Sequence, residues 1–290
     1  VKEPIHSLLT ALDLSAPGVR TDEDIFTGPS QWMPQGRVFG GQVLAQSVVA
    51  ATRTVDAERI IHSMHGYFLR PGDVDLPITF AVDRIHDGRS FATRRTQAYQ
   101  NGVPILSMIA SFQTQDEGPE HQIELPDGIP DPETLPSAAE LLSGIDHPAA
   151  EAWATGRPFD LRHVGSPVYL RVEGERTTRQ AVWFKTIEDL PDDPALHRAA
   201  LAYASDYTIL EPVLRRHGVP WATPGIKIAS LDHAMWWHRP ARVDEWLLYL
   251  QDSPSATGGR GLSLGRIYDR AGRLVASVAQ EGMVRFPMPR

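Results

Sequence analysis

The sequence predicts an α+β protein built from two copies of one unit, each an antiparallel sheet wrapped around a buried helix, with the two units packed side by side. Three observations carry that expectation. The order of strand signals and turns from His62 to Gln113 recurs from Ser230 to Arg285 with nearly constant spacing: Arg70 and Arg239 stand 169 residues apart, while Gly102 and Gly272, like Ser107 and Ser277, stand 170 apart. Val43 to Ala51 is Ala/Val-rich and almost apolar all round, the pattern of a buried helix rather than a surface one. Between the blocks, Pro119, Pro126, Pro130, Pro132, Pro136 and Pro148 interrupt any regular element and mark a linker.

Taken in order, Ser7 to Leu14 predicts a short helix. Arg37 to Gln42 leads into the buried helix, where Gly40 and Gly41 permit close backbone approach. Strands are expected at about His62–Leu69, Ile78–Ile85, Ser90–Tyr99 and Ile105–Gln113; Phe91, Thr93, Arg95 and Gln97 alternate onto one face of the third. The linker carries one short helix near Ala138–Leu142. The second unit opens with strands at about Phe159–Val164 and Gln180–Ile187. A helix follows from Pro194 to Ser205, with a shorter helical piece from Asp206 to Arg216. Its last strands are expected at Lys227–Trp237, Glu245–Gln251, Arg260–Tyr268 and Leu274–Arg285. The corresponding domains are 1–116, a linker at 117–155, and 156–290. A strongly twisted sheet around a long apolar helix is the hotdog arrangement, and two in one chain make a double hotdog.

A chain of 290 residues suffices for two domains with separate cores. At 42% hydrophobic and 22% charged residues, its composition is that of a globular protein. A formal net charge of −8 argues against broad nucleic-acid binding, which needs a basic footprint. Without cysteine there is no disulfide, thiolate nucleophile or cysteine-ligated metal. No run approaches the roughly 20 apolar residues of a membrane span. The first residues, Val1 to Leu14, lack a long apolar signal core, and Phe286 to Arg290 is not a Ser-Lys-Leu-type address. The expectation is a cytoplasmic protein.

Gly261-Leu262-Ser263-Leu264-Gly265 matches the nucleophile-elbow pattern, but that motif needs a strand, a sharp turn and then a helix. Here it falls inside an alternating strand, so Ser263 is expected to be an ordinary strand serine. His62 with His65, and His233 with His238, are separated by odd steps that place them on opposite faces of a strand, and no zinc motif is present. The expectation is no metal and no cofactor. Arg94-Arg95, Arg215-Arg216, and Arg53 with Arg59 are expected as solvated surface, with one or two available to ligand phosphates.

The differences between the copies carry more chemistry. The constant spacing sets Gln280 opposite Ala110 and Ser230 opposite Ile61, and Asp206 falls near Gln42. The second unit therefore has an amide, a hydroxyl and a carboxylate where the first is apolar or neutral. Asp206, placed where one helical piece gives way to the next, is expected at a helix start, stabilised as the anion by local N–H groups. A carboxylate can take a proton from water, and a serine and a glutamine can orient that water.

These residues, with Val38-Phe39-Gly40-Gly41-Gln42, the run from His62 to Gly72, Ala202 to Asp206, Asp232 to Pro240 and Gln280-Glu281-Gly282, resemble the acyl-CoA thioesterase II family. The resemblance covers nearly the whole chain. It implies hydrolysis of medium- to long-chain fatty acyl-CoA to free acid and CoA, with Asp206, Ser230 and Gln280 as the catalytic residues. Ser230 stands where some members have Thr. Gly41, Gln42 and His62 are candidate substrate-binding positions. The implied partners are acyl-CoA and further copies of the chain, as a dimer or tetramer. The competing readings are a hotdog hydratase or dehydratase using His62, His65 or His233, and a non-catalytic acyl-CoA-binding protein.

Overall fold

The computed structural model describes residues 4–16, 23–147 and 149–287. Pro148 and the extreme termini, including Met288 to Arg290, lie outside the described residues. The first unit comprises α1 (Pro4–Leu12), β1 (Asp24–Gly28), α2 (Gly40–Thr52), β2 (Arg59–Phe68), β3 (Ile78–Asp87), β4 (Phe91–Gln100) and β5 (Val103–Thr114). The connecting segment holds α3 (Ala138–Leu142) and α4 (Ala150–Ala154). The second unit comprises β6 (Phe159–His163), β7 (Arg179–Thr186), α5 (Pro194–Ser205), α6 (Glu211–His217), β8 (Lys227–Ser230), β9 (Asp232–Trp237), β10 (Leu247–Thr257), β11 (Arg260–Asp269) and β12 (Leu274–Arg285).

The two expected sheets are joined edge to edge. β2 pairs antiparallel with β9, making one 12-stranded sheet in the order β1-β3-β4-β5-β2-β9-β12-β11-β10-β7-β6, with β8 paired to β12. The helices supply the apolar layer that the inner face of this sheet needs. Val43, Leu44, Ala45 and Val48 of α2 and Ala199, Leu201 and Ala202 of α5 are buried against Met64, Met108, Phe112, Met235 and Val278 of the strands. The fold is the double hotdog that the repeat predicts.

The duplication extends to single hydrogen bonds. Arg70 Nη1 donates to the Pro104 carbonyl at 2.9 Å, and Arg239 Nη1 donates to the Leu274 carbonyl at 2.9 Å. The Asn101-Gly102 hairpin has φ of 48° and 75°, the left-handed pair that a tight two-residue turn requires.

Three local expectations are corrected. Gly40 and Gly41 lie within the first turn of α2 rather than before it, because Phe39 in extended conformation serves as N-cap. The expected single strand 227–237 is interrupted at Leu231. Ser230 pairs with Gly282 and Ala234 with Ala279, so three residues on one strand face two on the other. This is a β-bulge, in which the extra residue breaks the alternation of faces. The first copy has its own extra residue at His62, 169 positions earlier, between the pairs Ile61–Phe112 and Ser63–Ser111. The linker is also more than a connector. Trp183 and Trp246 donate to the Pro130 carbonyl and to Glu133, Gln122 bonds Gly272 and Leu274, and Ser137 with Glu140 forms a capping box on α3. It covers the outer face of the second unit's sheet and buries Trp183, Trp246, Leu248 and Tyr268 there.

Candidate active site

The site forms where the end of α5, the start of α2 and the bulged strands meet. Asp206 is the C-cap of α5, with φ −85° and ψ −13°, and not the start of the next helix as the sequence suggests. Residues 207–210 form a turn before α6 begins at Glu211. The constant spacing in fact sets Gln42 opposite Glu211 and Gln46 opposite Arg215, and these are the buried polar centres of their respective units. At the same spacing Asp206 falls opposite Arg37, so the first copy has no carboxylate at that position.

Its carboxylate nonetheless meets a helix start, that of α2 in the other unit. The Gly41 N–H donates to Asp206. A Cβ on Gly40 would lie 2.7 Å from Asp206 Oδ2, and one on Gly41 would run into the Tyr203 carbonyl and the Phe39 ring. The two glycines let α2 and α5 approach backbone to backbone.

Asp206 Oδ1 accepts from Gln280 Nε2 at 2.9 Å and from Ser230 Oγ at 3.2 Å, and Gln280 Nε2 also donates to Ser230 Oγ at 2.9 Å. Gln280 is fully buried, whereas Asp206 and Ser230 keep partial access to solvent. Burial among apolar groups raises the Asp206 pKa from an ordinary 3.8 to about 6, against the lowering effect of the bonds from Gln280, Ser230 and Gly41. Its place at the C-terminal, negative end of α5 acts in the same direction as burial. At neutral pH the group is ionised yet basic enough to accept a proton from an attacking water.

The next layer brings in His233, which the sequence offers only to the hydratase reading and not as a partner of these three residues. His233, fully buried on β9, bonds Gln280 Oε1 through Nδ1, and its Nε2 lies 3.0 Å from Ser205 Oγ. Burial depresses its pKa to about 4, so the ring is neutral. Ser230 and His233 are three residues apart and should face opposite sides of a regular strand; the bulge turns both toward Gln280. The copy comparison contained a signal for His233, since Met64 stands 169 positions before it. Phe39 stacks on Tyr207 with centroids 4.7 Å apart and meets Tyr203 edge-on, which gives the site an apolar flank.

The other candidates are placed elsewhere. Gln42 is fully buried and its amide is committed: Oε1 accepts from the Gln31 N–H, and Nε2 donates to the Pro29 carbonyl and to Gln46. It holds the 29–31 segment rather than facing Asp206. His62, at the first-copy bulge, bonds Ser111 Oγ at 2.8 Å and packs on Phe91. Ser263 lies in β11 with no elbow around it. The basic clusters are less free than expected. Arg94 is fully buried against Thr54 and Asp87, Arg215 is buried against Gln180 and Ser166, Arg95 pairs with Asp83, and Arg53 bonds Leu14 and Asp13.

Comparison with known proteins places the chain in a family. Residues 28–113 match the family described as the acyl-CoA thioesterase N-terminal domain, and residues 158–283 match the acyl-CoA thioesterase family. The chain is 36% identical to acyl-CoA thioesterase 2 of Haemophilus influenzae over 273 residues, covering 92% of this chain and 94% of that one. It is 36% identical to human acyl-coenzyme A thioesterase 8 over 276 residues, covering 91% and 85% of the two chains. Among solved structures, acyl-CoA thioesterase II TesB2 from Mycobacterium marinum superposes with a TM-score of 0.79 at 43% identity, covering 97% and 98%.

Proposed function

Given that the chain belongs to the acyl-CoA thioesterase family and is an acyl-CoA thioesterase, we propose that it hydrolyses medium- to long-chain fatty acyl-CoA by direct attack of water on the thioester carbonyl. Asp206 is the general base, and Ser230 and Gln280 orient the water. The observation that carries this reading is the convergence of two neutral donors on one oxygen of a carboxylate whose pKa lies near 6. The water loses one proton to Asp206 as its oxygen bonds the acyl carbon. Collapse of the tetrahedral intermediate breaks the C–S bond, and the proton held by Asp206 passes to the departing thiolate of CoA, which restores the carboxylate. The positive end of α2 faces the reacting centre and favours the developing oxyanion. The acyl chain lies along the apolar flank formed by Phe39 and Tyr207.

The direct route is tested by a single turnover in ¹⁸O-water. All label should enter the free acid. Label in an Asp206 carboxyl oxygen would instead establish attack by the carboxylate and a mixed anhydride. A profile of rates from hexanoyl- to stearoyl-CoA tests the chain-length assignment, which fails if only short acyl groups are hydrolysed.

Two further outcomes follow from the same groups. kcat/KM should rise with pH through an acid limb near 6, because protonated Asp206 cannot serve as base, and then level off toward pH 8. A limb centred near 4 would show that burial does not tune the base. Ser230→Ala should lower kcat by about 10- to 100-fold and move that limb upward, since the carboxylate loses a donor. Ser230→Thr, which keeps the hydroxyl, should stay within about fivefold of wild type.

The hydratase alternative asks for a histidine with an acidic partner. His233 has none, as its two nitrogens face Gln280 and Ser205. His62 faces a serine, and His65 is exposed on the outer face beside Trp236.

A further inference from the structure

We propose that His233 is a positioning residue for the hydrolysis: with Ser205 behind it, it fixes which end of the Gln280 carboxamide faces Asp206. The inference rests on the roles given above to Asp206, Ser230 and Gln280.

A carboxamide has two ends of nearly the same shape, and a flip exchanges donor for acceptor. Only one orientation of Gln280 suits an ionised Asp206. With the nitrogen inward, its two hydrogens go to Asp206 Oδ1 and Ser230 Oγ, both at 2.9 Å. Flipped, the amide oxygen would face a carboxylate oxygen, acceptor against acceptor. The opposite end of the amide meets His233 Nδ1, so the working orientation requires the ring proton on Nδ1. Nε2 is then an acceptor, and the hydroxyl 3.0 Å away on Ser205 can donate to it. Ser205 Oγ also lies 2.8 Å from the Ala202 carbonyl, so its single proton is shared between two acceptors.

The donors therefore run one way. Ser205 O–H, shared with the Ala202 carbonyl, reaches His233 Nε2, His233 Nδ1–H points to Gln280 Oε1, Gln280 N–H to Ser230 and Asp206, and Ser230 O–H to Asp206. Burial keeps the ring neutral, leaving one ring proton to be placed. If it sat on Nε2, the bare Nδ1 would face an amide oxygen, and the amide would turn over. Ring tautomer and amide orientation are one choice, and it decides whether Asp206 meets a donor or an acceptor.

The first copy shows that the sheet itself does not need this histidine. The equivalent pair there is Met64 and Ala110, directly paired on β2 and β5 and equally buried. The same place in the same fold is filled with carbon. In the second copy the histidine accompanies the glutamine it orients.

The test compares His233→Asn, His233→Gln and His233→Met by thiol release from decanoyl-CoA across pH. Asn can place its amide nitrogen near the Nδ1 position; Gln reaches instead toward Nε2, and Met supplies no donor. Asn should keep kcat within about fivefold, while Gln and Met should lower it by about 10- to 100-fold with KM nearly unchanged, as expected when a reacting group is misplaced rather than removed. In the two impaired variants the acid limb of kcat should move to higher pH, because Asp206 loses an oriented donor. The titratable groups that interact with Asp206 are Tyr207 and Tyr249, and His233 stands behind the Gln280 amide. Burial holds both phenols protonated, Tyr207 with a pKa of about 12, so the limb belongs to Asp206. α2 brings no charged side chain to it.

Wild-type kcat and an unmoved limb in His233→Met would overturn the proposal. So would equal impairment of the Asn and Met variants with an unmoved limb, the mark of a packing role. If His233→Met does not fold, Ser205→Ala probes the chain from its other end and should lower kcat severalfold with the same upward shift; wild-type behaviour there would overturn it. Asp206→Asn is measured alongside. Full turnover by that variant would remove the mechanism itself, whereas its inactivity beside a wild-type His233→Met would remove only the positioning chain.

Discussion

Asp206→Asn should lower thiol release from acyl-CoA by about 10²- to 10⁴-fold, the range a positioned general base contributes, while raising the thermal stability of the protein. The two effects have one origin. The folded carboxyl holds its proton more tightly than the unfolded one, with a pKa of about 6 against 3.8. Between those values the native state carries the extra proton, so this group's contribution to stability falls as pH rises through the window. Above it, the contribution is fully unfavourable. Complete desolvation would make that about 3 kcal/mol, and partial solvent access reduces it to about 1–2 kcal/mol. A neutral Asn removes the penalty but sets an NH₂ against either the Gly41 N–H or the Gln280 donor, which returns part of it. Thermal unfolding at pH 8 should therefore show the inactive variant melting higher than wild type, with the difference shrinking toward pH 4. An active variant would sink the base assignment, and one that melts lower at pH 8 would sink the claim that the site holds a strained carboxylate.

Gly41→Ala should nearly abolish activity and destabilise the fold. The added methyl would enter the space of the Tyr203 carbonyl and of the Phe39 ring. The ring can turn, but the carbonyl is α5 backbone and can yield only if the helices separate. Overpacking of this kind costs about 1–3 kcal/mol. Separation also withdraws the Gly41 N–H from Asp206 and carries α2 away from the reacting centre, and a displacement of about 1 Å at a catalytic group costs about 100-fold in rate. Circular dichroism should report retained helix with a lower melting temperature, and kcat should fall by that factor or more. Gly40→Ala offers a contrast: its methyl would lie 2.7 Å from Asp206 Oδ2 and about 3.1 Å from the Phe68 ring. Activity should fall with a smaller loss of stability, since side chains rather than backbone must give way. Equal rates for wild type and Gly41→Ala would show that the α2–α5 contact is not what sets the base.

The repeat, the hotdog architecture and the three polar residues that distinguish the second copy are legible in residue order alone. Each follows from information local to the chain or from comparing one half with the other. Apolar periodicity marks strands and the all-round apolar helix, turn chemistry marks hairpins such as Asn101-Gly102, and a constant spacing of about 169 exposes Ser230 and Gln280 against Ile61 and Ala110. His233 was legible by the same comparison, opposite Met64. How these groups meet depends instead on contacts between segments distant in the chain. One extra residue near Leu231 turns Ser230 and His233 toward the same amide, and no alternation rule foretells an inserted residue whose partner strand lies some 50 positions away. Asp206 looks like a helix start from its neighbours, yet it ends α5, and the N–H that meets it comes from Gly41, far away in the other unit. Its proton affinity is set by the balance between burial and three donors from three separate elements. That balance is a property of packing, which side-chain order along the chain does not encode.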